Sequence, residues 1–403
     1  MGARSAIQHE MAPMTTSPWP CFSAKEAAAV AATLSSNKVN YWTGQTCREF
    51  ERAFAAWSMS ARAIALTNGT VALDLPLKCM GIGPGDEVIV TPRSFMASVS
   101  CVVTAGATPV FADVDLDSGN ISAATIAPVL TDRTRAIIPV HIGGWPCDMP
   151  AIMDLAKAHD IKVIEDCAQA HGARIGGKMV GGFGHAGAWS FCQDKIMTTG
   201  GEGGMVTTDD EELWSQMWSY KDHGKSWDAV YNRQHAPGFR WVHESFGTNW
   251  RMLEMQAAIG LIQLEEMADW TARRTAIAMR LAAALAPFAD VVRCPLPGAD
   301  AVTHAFYRLY AFVRPEALAP GWDRDRIVAE VNAAGAPLLH GTCSEIYLEK
   351  AFDGTPWRPK ERLPNARQLG ETSLMFLTHP TLTDAEVDHV CATITDVLTR
   401  AKR

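Results

Sequence analysis

The sequence predicts an α/β protein: a large domain on a mainly parallel seven-stranded sheet, then a smaller C-terminal α+β domain. Three observations carry that prediction. Between Ala63 and Thr208, short apolar runs alternate with helix-length segments. Most of these runs are rich in Val and Ile and lack clean alternation, as strands covered on both faces do. Beyond Thr248 the pattern changes to one long helical stretch, followed by mixed strands and helices.

The seven expected strands are Ala63–Leu66, Glu87–Val90, Thr108–Phe111, Ala136–Val140, Lys162–Glu165, Ala186–Phe191 and Met205–Thr207. Turn residues separate them, with GIGPGDE before the second and GAT before the third. A helix is expected from Trp250 to about Ala286, because Met252, Met255, Ile259 and Ile262 recur at spacings of three and four. Pro287 stops it. A further strand is expected around Ala305–Val313, and helices over Arg324–Ala334 and roughly the last 20 residues. These divisions give an N-terminal arm over 1–24, a large domain over 25–265 and a small domain over 266–403. The stretch Lys221–Thr248 is aromatic, His-rich and irregular, and a loop of that length is uncommon without a function.

Composition narrows the classes. The chain has 403 residues, 48% hydrophobic and 20% charged, enough to bury a large core. A formal net charge of −8 argues against nucleic acid as a main partner, since phosphate backbones select Lys and Arg surfaces. The ten cysteines are scattered singly, with no pair at metal-ligand spacing, so no metal is expected and the thiols suit a reducing compartment. No apolar run approaches a membrane span. The first 20 residues lack the apolar core of a signal peptide. A cytoplasmic enzyme with a loose N-terminal arm is the expectation.

Four segments carry chemistry. In VIEDCAQAHGA a strand ends in Asp166, with Gln169 and His171 just beyond. Ligands of open α/β sheets bind beyond the strands' carboxyl ends, although a turn carboxylate capping the next helix would look the same. In AWSFCQDKIMTTGGEGGMVTT a strand delivers Ser190, then Lys195, then four glycines flanking Glu202. A lysine so placed in a cleft and partly desolvated can attack an aldehyde, whereas a lone lysine is more often a solvated charge. In LTNGTVALDL a strand runs through Gly69 and Thr70 into a helix, a seat for phosphate or a plain N-cap. In PRSFMAS, Phe95 follows the second strand, where it could stack on a flat ring or fill the core. Gly182, Gly184 and Gly187 have dinucleotide-fingerprint spacing, but they precede a strand rather than follow one, so that match is set aside.

In this order the segments resemble the DegT/DnrJ/EryC1/StrS family of sugar aminotransferases, within fold type I of the pyridoxal-phosphate enzymes. The resemblance runs from NKVNYWTGQTCREFE through GIGPGDEVIV, GATPVFADVD, IEDCAQAHGA, SFCQDK and NWRMLEMQAAIGLIQLE to LPNARQLGETSLMFLTHPTL. It implies pyridoxal 5'-phosphate held by Lys195 through a Schiff base, with the same lysine later moving the proton. It further implies that Asp166 pairs with the pyridine nitrogen, Gln169 with the ring hydroxyl, and Phe95 with the ring face. Gly69, Thr70, the Val71 amide and Ser190 would hold the phosphate, and Asn249 would reach it from a neighbouring subunit of a homodimer. His171 is expected to be structural. The implied reaction moves an amino group from L-glutamate or a similar donor to a nucleotide-linked keto-deoxy sugar. An aminocyclitol ketone is the alternative acceptor. A dehydratase relative would have His in place of Lys195, and a non-catalytic scaffold would need none of Lys195, Asp166 and Gln169. Val71 stands where the family usually has Ala, and Asp194 is an unusual neighbour for the lysine. Substrate choice is expected from loops near Tyr41–Gly44, Lys221–Thr248 and His340–Tyr347, with Trp42 and Tyr347 as stacking candidates.

Overall fold

The computed structural model describes residues 16–298 and 302–403; residues 1–15 of the expected arm lie outside them. The apolar runs become seven strands: β1 (Arg62–Leu66), β2 (Glu87–Val90), β3 (Thr108–Phe111), β4 (Thr134–Ile138), β5 (Lys162–Asp166), β6 (Ala186–Ser190) and β7 (Gly204–Thr208). They form one sheet in the order β1-β7-β6-β5-β4-β2-β3. β3, β2, β4, β5 and β6 pair in parallel, while β7 runs antiparallel to both β6 and β1. The expected mainly parallel sheet is therefore present. Its strands are buried almost throughout, because helices cover both faces. Among those helices are α1 (Ala24–Ser35), α2 (Thr46–Ser58) and α3 (Gly69–Cys79).

The long helix, α4, spans Glu254–Leu285 and so begins four residues later than the periodicity indicated. Trp250 and Arg251 instead make sheet-like contacts. The Thr67 N–H donates to the Trp250 carbonyl, the Trp250 N–H donates to the Lys221 carbonyl, and Arg251 bridges to Leu66. Backbone groups satisfied in this way have nothing to gain from entering a helix. The apolar stripe also shifts. Met255 and Ile262 are only half-buried, whereas Ala257, Ala258, Gly260, Gln263 and Met267 form the buried face. Gly260 is required there, since a Cβ would stand 2.6 Å from the Phe50 ring.

The helix runs unbroken through residue 266. Its first half packs on α1 and α2, while Ile277, Ala278, Leu281 and Leu285 enter a second core with α5 (Arg324–Ala333) and α6 (Asp384–Ala401). That core also covers an antiparallel sheet ordered β8-β9-β11-β10, from β8 (Val292–Arg293), β9 (Arg308–Val313), β10 (Leu338–Leu339) and β11 (Ser373–Leu377). Ala305, Tyr307, Ile346, Tyr347 and Phe352 lie late in the chain yet pack into the core of the large sheet. The stretch Lys221–Thr248 contains one short helix, Trp227–Tyr231, and presents Phe239, Trp241 and Phe246 to solvent.

Candidate active site

The carboxyl ends of the parallel strands open into a cavity of about 670 Å³. Its walls come from the turns after β1, β2, β4, β5 and β6 and from the turn entering β7. β7 is antiparallel, so its start lies at the same edge of the sheet as the other strands' ends. Gly69, Thr70, Val71, Phe95, Asp166, Gln169, Ser190 and Lys195 all line this cavity. Asn249 does not; it is exposed on the chain leading to α4.

Asp166 closes β5 and is 4% exposed. Its Oδ2 accepts from the Ser98 hydroxyl at 2.7 Å and its Oδ1 from the Ala168 N–H at 3.1 Å. Burial pushes its pKa up, while Ser98, Ala168, Lys195 and His141 work the other way without cancelling the rise. A carboxylate in that condition favours a cationic partner. Ser98 in turn meets Ser94 at 2.8 Å, giving a short buried chain of hydroxyls behind the carboxylate.

The Lys195 side chain is 16% exposed, and its Nζ lies 3.6 Å from Asp194 Oδ1 and 5.3 Å from the centre of the Tyr307 ring. Asp194 therefore does not simply face solvent: it also accepts from the Tyr307 hydroxyl. Burial acts to raise the Asp194 pKa, but Lys195, Tyr307 and Arg308 outweigh it and hold the carboxyl below its ordinary range. Gln169 is oriented by the Gly143 N–H, which donates to Oε1 at 2.8 Å and leaves the amide NH₂ free to donate.

At the opposite wall, α3 begins at Gly69. A Cβ on Gly69 would stand 2.5 Å from Ser190 Cβ, so only glycine lets the helix start approach this strand. The amides of Gly69 and Thr70 have no acceptor within the helix. The Val71 amide, expected among the phosphate donors, is already engaged by the Asn68 cap at 3.0 Å. The free donors of this seat are thus Gly69, Thr70 and the Ser190 hydroxyl. A buried carboxylate, an amine and an anion seat lining one cavity fit pyridoxal phosphate: cationic nitrogen, aldehyde carbon and phosphate would each find a complement there.

His171 is fully buried between Trp189 and Phe191, without a hydrogen-bond partner among the described residues, and burial brings its pKa to about 3. It acts as a neutral packing group. Tyr347, expected to stack on a ligand, is buried and donates to Glu345 while accepting from the Leu363 N–H. Trp42 packs against Trp218 with Lys225 Nζ 4.1 Å from its ring centre. Of the fingerprint-spaced glycines, Gly184 serves another anion: its N–H donates to the Glu165 carboxylate together with those of Gly181 and Phe183. Sequence reasoning gave no role to Ser98, which closes the PRSFMAS segment, or to Tyr307, which lies in no motif; tertiary packing brings both to the site.

With this geometry in view, the comparisons with known proteins are specific. The model of the DegT/DnrJ/EryC1/StrS aminotransferase family matches residues 20–395. The chain belongs to this family. It is a pyridoxal-phosphate-dependent aminotransferase of fold type I. An X-ray structure of the aminotransferase from Psychrobacter cryohalolentis superposes with a TM-score of 0.94 at 59% identity, covering 95% of this chain and 99% of that one. GDP-perosamine synthase of Caulobacter vibrioides is 37% identical over 359 residues, 88% of this aminotransferase and 91% of the relative. The dTDP-3-amino-3,4,6-trideoxy-alpha-D-glucose transaminase of Streptomyces venezuelae is 34% identical over 360 residues, 89% and 88% of the two chains. Among the described residues, no helix of the aminotransferase is long and apolar enough to cross a membrane.

Proposed function

We propose that this aminotransferase moves an amino group from an amino acid, L-glutamate foremost, to the keto carbon of a nucleotide-linked keto-deoxy sugar. The observation that carries the reading is the joint placement of Lys195, Asp166 and the α3 anion seat around one cavity. About 670 Å³ falls in the range of pockets that enclose a sizeable ligand, which suits cofactor and substrate together. The sugar class rests on relatives named for nucleotide-linked or perosamine products. The ten free cysteines support a reducing, cytoplasmic setting.

When bound, pyridoxal phosphate supplies an electron sink for charge at the substrate carbon. Asp166 would hold the pyridine nitrogen protonated, and Ser98 and Ala168 keep the carboxylate in place. Gly69, Thr70 and Ser190 would hold the phosphate, the Gln169 amide would reach the ring oxygen, and Phe95 would cover one ring face. Lys195 Nζ is the amine that would bind the aldehyde carbon, and the same group would serve as the base that moves the proton at the donor α-carbon. Val71 contributes contact only.

Asn249 is exposed and outside its own chain's cavity, which supports its action on a second copy in a homodimer. Mixing Lys195→Ala chains with Asn249→Ala chains tests this. If Asn249 serves the partner, hybrid dimers hold one intact site and activity recovers to about a quarter of wild type. No gain over the parents, with Asn249→Ala alone impaired, would refute the shared site. Borohydride reduction of the loaded protein, followed by peptide mapping, is expected to place the pyridoxyl adduct on Lys195. An adduct elsewhere ends the assignment. A panel of nucleotide-linked keto sugars assayed with glutamate tests the substrate class, and turnover of aminocyclitol ketones alone would replace it.

A further inference from the structure

Lys195 sits in irregular chain between β6 and β7, where no ladder fixes its backbone. Its N–H donates to the Cys192 carbonyl at 3.0 Å. Its carbonyl accepts from the indole Nε1–H of Trp19 at 2.8 Å, the only donor to that oxygen among the described residues. The indole comes from 176 positions earlier in the chain.

Trp19 is itself held from several sides. Its ring meets Trp270 edge-on at 5.1 Å and lies nearly parallel to His379 at 6.3 Å. The guanidinium of Arg274 stands 5.1 Å from the ring centre. Arg274 is fully buried, and none of its three guanidinium nitrogens has a hydrogen-bond partner among the described residues. A desolvated cation with no anion beside it gains most from a ring face, and it fixes the indole in return. The chain either side of the indole is tied to the C-terminal part of the molecule. The Pro18 carbonyl accepts from the Thr381 hydroxyl at 2.8 Å, and the Ser17 N–H and hydroxyl both donate to the Glu386 carboxylate. The far end of the lysine segment has a matching tether: the Thr198 N–H donates to Gln263, which donates to Glu26 of α1.

We propose that Trp19 is a positioning residue for Lys195, and that residues 17–19 form a strap from α6 and the turn after β11 to the lysine's main chain. The proposal rests on the reading of Lys195 as the cofactor-bearing lysine. A catalytic amine must be held to within about 0.5 Å of its productive place, and a single main-chain donor on an irregular segment has that leverage. The strap makes the amine's position depend on where the C-terminal part sits.

Trp19→Phe keeps an aromatic ring against Trp270, His379 and Arg274 and removes the N–H donor along with one ring of the indole. In the full-length protein without cofactor, hydrogen exchange at amides 195–199 is expected to rise by about tenfold, with peptides from β4 unchanged. In the loaded enzyme, kcat is expected to fall by about tenfold with KM for the amino donor unchanged, the loss of one hydrogen bond that orients the amine. The pH midpoint of the cofactor's visible absorption is expected to move as well. Unchanged exchange at 195–199 would overturn the strap whatever Lys195 does. Faster exchange with kcat and absorption unchanged would overturn the link to catalysis. Thr381→Val, which removes the hydroxyl that meets both the Pro18 carbonyl and His379 Nδ1 and leaves the Trp19 indole in place, is expected to act in the same direction by about threefold, and it decides the matter should Trp19→Phe not fold. The borohydride mapping on wild type tests Lys195 separately, so the two readings fail independently.

Discussion

Glu165 and Asp166 end the same strand, β5, and their side chains leave it toward opposite faces of the sheet. Glu165 is wholly buried and accepts from four donors: Gly181 N at 2.8 Å, Phe183 N at 2.7 Å, Gly184 N at 2.6 Å and His141 Nε2 at 3.1 Å. The His141 ring is fixed in turn, because its Nδ1 accepts from the Cys147 N–H, which leaves the ring proton on Nε2 for Glu165. Asp166 is almost as buried, but among the described residues its carboxylate accepts from only two donors, and it lines the cavity. A carboxylate has about four lone-pair sites, so Glu165 is complete within the chain and Asp166 is not. Burial is common to both. What marks the functional carboxylate is capacity left open toward a cavity, and the cost of that opening is carried by the fold until a ligand fills it.

Asp166→Asn sharpens this contrast most. Turnover is expected to fall by about three orders of magnitude, or about 4 kcal/mol, because the pyridine nitrogen loses its anion. Stability of the cofactor-free protein is expected to hold or rise. The sign follows from the raised pKa of Asp166. A carboxyl whose folded pKa exceeds its unfolded value contributes stability fully below the unfolded pKa, near 3.9, and loses it as pH rises through the folded value. Wild-type cofactor-free protein should therefore lose stability across that window, and Asp166→Asn should lose less. Equal slopes in urea unfolding measured from acid to neutral pH would break the contrast.

Glu165→Gln is expected to do the opposite. Removing the charge from a completed buried network costs about 3 kcal/mol of stability, read by urea unfolding. The kcat of the folded fraction should stay near wild type, and a large fall there would mean that Glu165 serves the chemistry directly.

A smaller effect is expected at Ser98→Ala, which removes one of the two donors to Asp166. Hydrogen bonds to charged groups contribute about 1.5 kcal/mol or more, so kcat should fall by about tenfold. The thermal midpoint should change little, because the site is already incomplete. A kinetically silent Ser98→Ala would remove the hydroxyl chain from the working site.

The alternation of apolar runs and turns by itself determined the seven strands and the mainly parallel sheet, since apolar runs and turn residues are written in neighbouring positions. The same local reading put Asp166, Gln169, Ser190, Lys195 and the α3 start beyond strand ends, and those residues do converge on one cavity. Tertiary structure decided what each group is left free to do. It gave Glu165 its four donors and Asp166 only two, engaged the Val71 amide with Asn68, buried Tyr347 and left Asn249 outside the cavity. It also diverted Trp250 and Arg251 from the long helix into pairing with the end of β1. The partners that settle these outcomes include Ser98, 68 positions from Asp166, and Trp19, 176 from Lys195. Local pattern can place a donor or acceptor at the end of a strand. Whether its hydrogen-bonding capacity is spent or left open depends on groups that only folding brings near.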